Sequence, residues 1–473
     1  MKYIPIFILL LLATFVQAQQ ESVTLEEIYG ANASVFTPKS VSGVNWMKQG
    51  GFYTSLLPGK IVKYSIATGE AVETLFDQEK VSVTGTNTKI QIEGYQLSSD
   101  EQKLLLITEE EPIYRRSSKA ENYIYDLNAG TLVKLSSNGK QQFATFSPDG
   151  SKAAFVRDNN LFVSDLATKS ETRITSDGKY NEIINGAGDW VYEEEFSLSK
   201  AFEWSPDSRK IAFYRFDESQ VTEYNMQTWG ELYPKDYKFK YPKAGEANSL
   251  ISILVYDLNA KKSIRMDIGS ETDMYIPRIN WTRSSELLSI RRMNRLQNRL
   301  DLLHANSTTG LSKVVLTEES DTYVDLTFTD DLTYLANGTQ FIFSSERSGF
   351  KHLYLYTLDG QLVKQLTAGN WEVDQVIGID EAKSIIYFTS TEVSPLERHL
   401  YSLDVSVPKR ITKKYVAPTP VKMTDKRGTN QILMSPDFQY YIETNSSAEA
   451  VPVYTLRKAP SVEVVRVLEN NAK

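Results

Sequence analysis

Short alternating strands separated by turn-forming residues follow one another along this chain, and the turns repeat. A Ser-Pro-Asp turn follows an aromatic or apolar residue and leads into a strand at Phe146-Ser-Pro-Asp-Gly150, before Ala153–Val156, and again at Trp204-Ser-Pro-Asp-Ser208, before Ile211–Tyr214. Weaker copies lie at Leu97–Asp100, Phe328–Asp331, Ile379–Ala382 and Met434–Asp437. Between them, strands end in Tyr-Asp-Leu or a close variant at Tyr125–Leu127, Ser164–Leu166, Tyr256–Leu258, Tyr356–Asp359 and Tyr401–Asp404. Proline presets φ and glycine accepts positive φ, so these residues fix reversals of the chain.

The repeat length is on the order of 50 residues with several short strands in each unit, which predicts an all-β chain folded as a β-propeller. A β-sandwich is the rival all-β fold, but it has no reason to repeat at this length. Counting the turns supports seven or eight blades. One stretch breaks the scheme. The run Asp189-Trp-Val-Tyr-Glu-Glu-Glu-Phe196 sets three successive carboxylates beside aromatics, and it is expected in an insertion between repeats, where side chains can project toward a central chamber. An acidic triplet is most often a solvated face. Here the flanking apolar residues argue for a segment anchored in a core, and acids so held suit a captured cation.

At 473 residues and 41% hydrophobic content the chain is ample for one large β domain. A formal charge of −8 disfavours nucleic acid and anionic membrane surfaces as partners and mildly favours cationic groups. With no cysteine there is neither a disulfide framework nor a thiolate site. No HExxH occurs, and no metal or cofactor is expected. No Gly-x-Ser-x-Gly elbow occurs either, and His304, His352 and His399 stand in no recognisable arrangement with a serine. Nucleophilic hydrolysis is not expected of the residues present.

The acidic run resembles the double-glutamate motif of the dipeptidyl peptidase IV family of serine exopeptidases. Asn181–Gly186 is similar to the lead-in to that motif, and Trp204–Asp207, Tyr214–Val221 and Lys240–Asn248 resemble family segments in the same order. Thr24–Tyr29 resembles the start of the mature family proteins, and Asn370–Gly378 a segment late in their first domain. The resemblance runs from about Thr24 to the end of the chain, which stops where the family's catalytic α/β-hydrolase domain should begin. It implies eight blades and a catalytic domain absent from this chain, so the chain is expected to be inactive alone, as a fragment, a prematurely ended reading frame or a stand-alone propeller.

The resemblance also implies roles. The propeller of a serine-type dipeptidyl peptidase would gate substrate and clamp the N-terminus of a peptide, so that dipeptides of Xaa-Pro or Xaa-Ala type are released by a Ser-Asp-His triad in the hydrolase domain. The amine-binding pair maps onto Glu194 and Glu195, leaving Glu193 structural. Adjacent residues on a strand point to opposite faces, so the pair converges only if the segment is a turn or short helix. Arg115 maps onto an arginine that holds the substrate carbonyl near the glutamates; Arg116 takes its place if the register slips by one. An arm at about 227–248 is expected to pair two subunits. A non-catalytic peptide- or protein-binding propeller is the alternative reading.

The first residues read as an export signal: Lys2, an apolar run over Ile4–Val16, and a small-residue site at Val16-Gln-Ala18. The run is short for a membrane span, so cleavage and a periplasmic or secreted bacterial location are expected, with no stable span afterwards. The expected organisation is a signal peptide over 1–18, an N-terminal segment over 19–40, a propeller over 41–455 and a connector toward the hydrolase domain over 456–473.

Overall fold

The computed structural model describes residues 23–30, 37–41, 43–48, 50–406 and 419–472; the expected signal peptide lies outside them. Eight antiparallel sheets follow one another along the chain, over residues 45–77, 94–134, 142–173, 183–265, 274–319, 332–365, 373–422 and 429–469. They are the blades of an eight-bladed β-propeller, which settles the count that the turns left at seven or eight. The only helices among the described residues are Leu25–Tyr29 and Trp190–Glu195.

The repeated turns work through one hydroxyl and one carboxylate. Ser147 Oγ donates to Asp149 at 2.6 Å while accepting from the Lys152 amide at 3.0 Å. Ser205 with Asp207 and Lys210, and Ser435 with Asp437 and Tyr440, repeat the pattern. Each of these turns joins the first and second strands of its blade. Burial opposes ionisation of Asp149, but hydrogen bonds from Ser147 and Ser151 outweigh it and hold the carboxyl at about 2. The weak copy at 328–331 is different: it precedes the first strand of blade 6, whose own first turn is the Asn337-Gly338 segment.

Apolar side chains fill every seam between blades. Ile61 and Leu104 meet between blades 1 and 2, Leu105 and Phe155 between 2 and 3, Val156 and Phe213 between 3 and 4. The largest cluster joins blades 4, 5 and 6, and two more join 6 to 7 and 7 to 8. Ile66, Ile442 and Leu456 close the ring between blades 8 and 1. Each blade is built from one continuous segment, so among the described residues no strand is exchanged across this last seam. Asn471 reinforces it, accepting from the Lys39 amide at 2.8 Å and donating to the Lys39 carbonyl at 3.0 Å.

Two boundaries differ from the sequence expectation. Val464–Glu469 is the fourth strand of blade 8, paired with Ala450–Lys458, so the blade runs past residue 455 into the segment expected to be a connector. The acidic run does not lie between repeats but inside blade 4. Fourth strands such as Ser170–Arg173 and Lys262–Arg265 are the exposed ones, which puts first strands at the inner end of each blade. In blade 4 that inner position is divided: Ile183–Asn185 and Phe202–Trp204 both pair with Lys210–Asp217, and the helix Trp190–Glu195 fills the gap.

Candidate functional site

A helix of 6 residues has little stability of its own. This one is fixed by its ends. Asp189 caps it, accepting from the Tyr192 amide at 2.9 Å with one carboxylate oxygen and from Ser249 Oγ at 2.6 Å with the other. At the far end the Leu198 amide donates to the Tyr192 carbonyl at 2.9 Å, and Arg278 donates to the Phe196 carbonyl at 2.7 Å. The chain enters so closely that a Cβ on Gly188 would collide with the Leu198 carbonyl oxygen. Tyr192 is buried among Phe196, Tyr214, Phe216 and Tyr275, and its hydroxyl accepts from the Ile276 amide at 2.8 Å.

The three glutamates have different surroundings. Glu193 is 1% exposed and accepts a 2.6 Å hydrogen bond from the backbone amide of Arg116, tying the helix to the blade 2 loop. Glu194 is partly buried and pairs with Arg115, 3.1 Å from Nε. The Arg115 Nη groups have no hydrogen bond to any described residue, which leaves most of its donor fork available. Glu195 is exposed at the end of the helix, without a hydrogen bond or ion pair to a described residue, and faces a cavity of about 610 Å³. The segment is a short helix, and its successive positions differ by about 100°: Glu194 turns to Arg115, while Glu195 turns to the cavity, which neither Glu194 nor Arg115 lines. The ion pair joins residues 79 apart in sequence.

The expected arm is a two-stranded hairpin, Glu223–Thr228 with Lys235–Lys240, outside the blade sheets. Its tip presents Trp229, Leu232 and Tyr233, the leucine 90% exposed. The returning chain walls the 610 Å³ cavity with Tyr241, Pro242, Lys243 and Asn248, and Tyr241 packs on Trp190 with ring centroids 4.2 Å apart. The hairpin therefore begins before residue 227 and adjoins the helix. His304, His352 and His399 are buried in strands, bonded to Tyr334, Thr367 and Thr424 respectively.

Sequence reasoning missed Asp189 as a cap, although Asp before Trp-Val-Tyr is a helix-start signal. It also missed the Glu193–Arg116 contact, which no local pattern records. Among the described residues there is no group of three or more His, Cys, Asp or Glu placed to hold a metal ion, and no helix long and apolar enough to cross a membrane.

Comparison with known proteins identifies the family of the chain. Residues 98–452 match the model of the dipeptidyl peptidase IV (DPP IV) N-terminal region. The chain belongs to that family. It is 27% identical over 468 residues to a probable dipeptidyl peptidase 4 of Aspergillus flavus, covering 95% of this chain and 58% of the relative. It is 28% identical to the inactive dipeptidyl peptidase 10 of Rattus norvegicus, covering 81% of this chain and 49% of that one. The crystal structure of Porphyromonas gingivalis dipeptidyl peptidase 4 superposes with a TM-score of 0.86 at 37% identity, covering 95% of this chain and 62% of that chain. The chain thus spans about half to three fifths of the relatives it matches.

Proposed function

We propose that this propeller is the substrate-gating part of a dipeptidyl peptidase IV-like serine exopeptidase, recognising the free N-terminus of a peptide through Glu194 and Glu195 and its first carbonyl through Arg115. The observation that carries the reading is the pairing of Arg115 with Glu194 on a helix that interrupts the inner strand of blade 4. An α-amino group is largely cationic at neutral pH. At about 4 Å and an effective dielectric of about 20, one carboxylate attracts it by roughly 4 kcal/mol before desolvation is subtracted. Arg115 keeps part of its fork for a carbonyl while the ion pair orients it. Release of Xaa-Pro or Xaa-Ala dipeptides, partnership with an α/β-hydrolase domain, pairing through the 223–240 hairpin, and export to the periplasm or beyond belong to the same proposal.

The test is a binding titration of one peptide with a free and with an acetylated N-terminus. The free peptide should bind, and its affinity should fall as pH rises past about 8, where the amine loses its charge. Equal affinity for both forms would remove the N-terminus reading. The second reading, a peptide-binding propeller without catalysis, is favoured by the likeness to a relative named inactive. Coding sequence continuing past Lys473 into a Gly-x-Ser-x-Gly elbow would decide for the enzyme.

A further inference from the structure

A second cavity, of about 430 Å³, also borders the helix, at Asp189, Trp190 and Glu193 and without Glu195. Its walls come from the blade 2 loop, the segment leading into the helix, and the arm. Tyr114, Tyr180, Tyr237 and Trp190 supply aromatic surface. Asp189 and Glu193 line it, but Asp189 uses both oxygens on Tyr192 and Ser249, and Glu193 accepts from Arg116. Glu218 is the exception. It is only 6% exposed, lines the cavity, and makes no side-chain hydrogen bond or ion pair with any described residue.

A carboxyl group largely removed from bulk water without a protein partner is costly, and what accessible surface Glu218 keeps lies at the cavity it lines. The nearest cations do not answer it. Lys240 donates to the Val221 carbonyl at 2.8 Å, Lys119 pairs with Glu111 at 3.1 Å, and Lys179 pairs with Glu182. Carboxylates therefore set the character of the cavity, and tyrosine faces add the attraction of aromatic rings for cations. A divalent metal would need several carboxylates converging, and no such group exists among the described residues. The volume falls in the usual range for small-molecule sites.

We propose that this cavity is a binding site for a small organic cation, a guanidinium or ammonium group, with Glu218 as its charge partner and Tyr114, Tyr180 and Tyr237 as its aromatic walls. The site is separate from the Glu194–Glu195 pair and does not depend on the reading given to that pair. Burial, reinforced by the Asp189 carboxylate and only partly offset by Lys240, pushes Glu218 up to about 7. Asp217 adds to the rise, while burial keeps the hydroxyls of Tyr114 and Tyr180 protonated throughout the neutral range. A bound cation stabilises the carboxylate, so binding releases the Glu218 proton and strengthens as pH rises through 7.

The probe is methylguanidinium, which stays charged across the range and has no α-amino group. It is titrated calorimetrically into the full chain carrying E194Q and E195Q, which disables the first site, at pH 5.5 and pH 8. Affinity should rise on the order of 30-fold between the two, following the ionised fraction of a group titrating near 7. Adding E218Q should abolish binding, and Tyr237→Leu in the arm should weaken it several-fold while Glu218 is intact; thermal melting confirms that each variant is folded. Absence of binding, binding indifferent to pH, or binding that survives E218Q would each overturn the proposal. Failure of the free-peptide titration would leave this result untouched, so the two readings fail separately.

Discussion

Asp189 holds the candidate site together more than any glutamate beside it. Its two oxygens cap the helix and anchor Ser249, and it is 5% exposed. Asp189→Ala should lower stability by about 2 kcal/mol, from the lost cap and a buried hydroxyl left without its partner. Asp189→Asn keeps a capping oxygen and should cost less than half as much; thermal melting of both variants checks the order. Glu218 gives a prediction of opposite character. Burial and the neighbouring Asp189 carboxylate push its carboxyl from the ordinary 4.5 of a glutamate up to about 7 in the fold. Between those values the unfolded chain has released its proton while the folded chain keeps it, so stability falls as pH rises through the window, by about 3 kcal/mol at most. E218Q should flatten that part of the profile, seen as a variant that gains on wild type between pH 5 and pH 8. A constant difference across the range would mean that Glu218 does not titrate there. For the proposed clamp, Glu194→Gln or Glu195→Gln should weaken binding of a free N-terminus by a few kcal/mol, because a partly desolvated amine loses its counter-charge. Binding of the free peptide unchanged in both variants would count against the pair.

At the scale of elements, what could be read in advance was whatever repeats or acts locally. The Ser-Pro-Asp turns were legible because one serine and one aspartate organise the same reversal in blades 3, 4 and 8. The acidic run stood out, but its placement did not, since an inner strand divided into Ile183–Asn185 and Phe202–Trp204 is a tertiary pairing with Lys210–Asp217 that no local pattern encodes. The outer strand Val464–Glu469 was hidden for a similar reason: none of its residues is buried, and it lacks the alternation that marks a half-buried strand. Glu218 sits in a segment that resembled a family motif, yet its burial and its want of a side-chain partner come from tertiary packing that no local pattern records. The arm itself bears a prediction. Trp229, Leu232 and Tyr233 are exposed at its tip, and large apolar groups gathered there suit a partner surface. Replacing all three with serine should leave the melting temperature of the monomer nearly unchanged, because none supports a core. If the arm pairs two subunits, the same variant should move from dimer to monomer in light scattering at concentrations where wild type is dimeric.

For the whole molecule, the decisive feature is how the ring closes. Propeller blades are held to their neighbours by side-chain packing, and among the described residues the seam between blades 8 and 1 has the smallest buried cluster, Ile66, Ile442 and Leu456, with a pair of hydrogen bonds between Asn471 and Lys39. The seam through blades 4, 5 and 6, which carries the acidic helix, has the largest. Local stability should follow that order, since opening a region costs roughly what its buried contacts supply. Leu456 is 1% exposed, and Leu456→Ala should cost about 2–5 kcal/mol. Its effect should be local: amide hydrogen exchange should accelerate across residues 45–77 and 429–469 while residues 274–319 keep their protection. Leu302, equally buried in the large cluster, provides the control, because Leu302→Ala should carry a similar energetic cost yet leave the closing seam as protected as in wild type. Uniform loss of protection from both variants would mean that the ring opens as a single unit. The confined pattern would mean that the candidate site sits in the most resistant part of the propeller, so that Glu194 and Arg115 keep their geometry while the far side of the ring breathes.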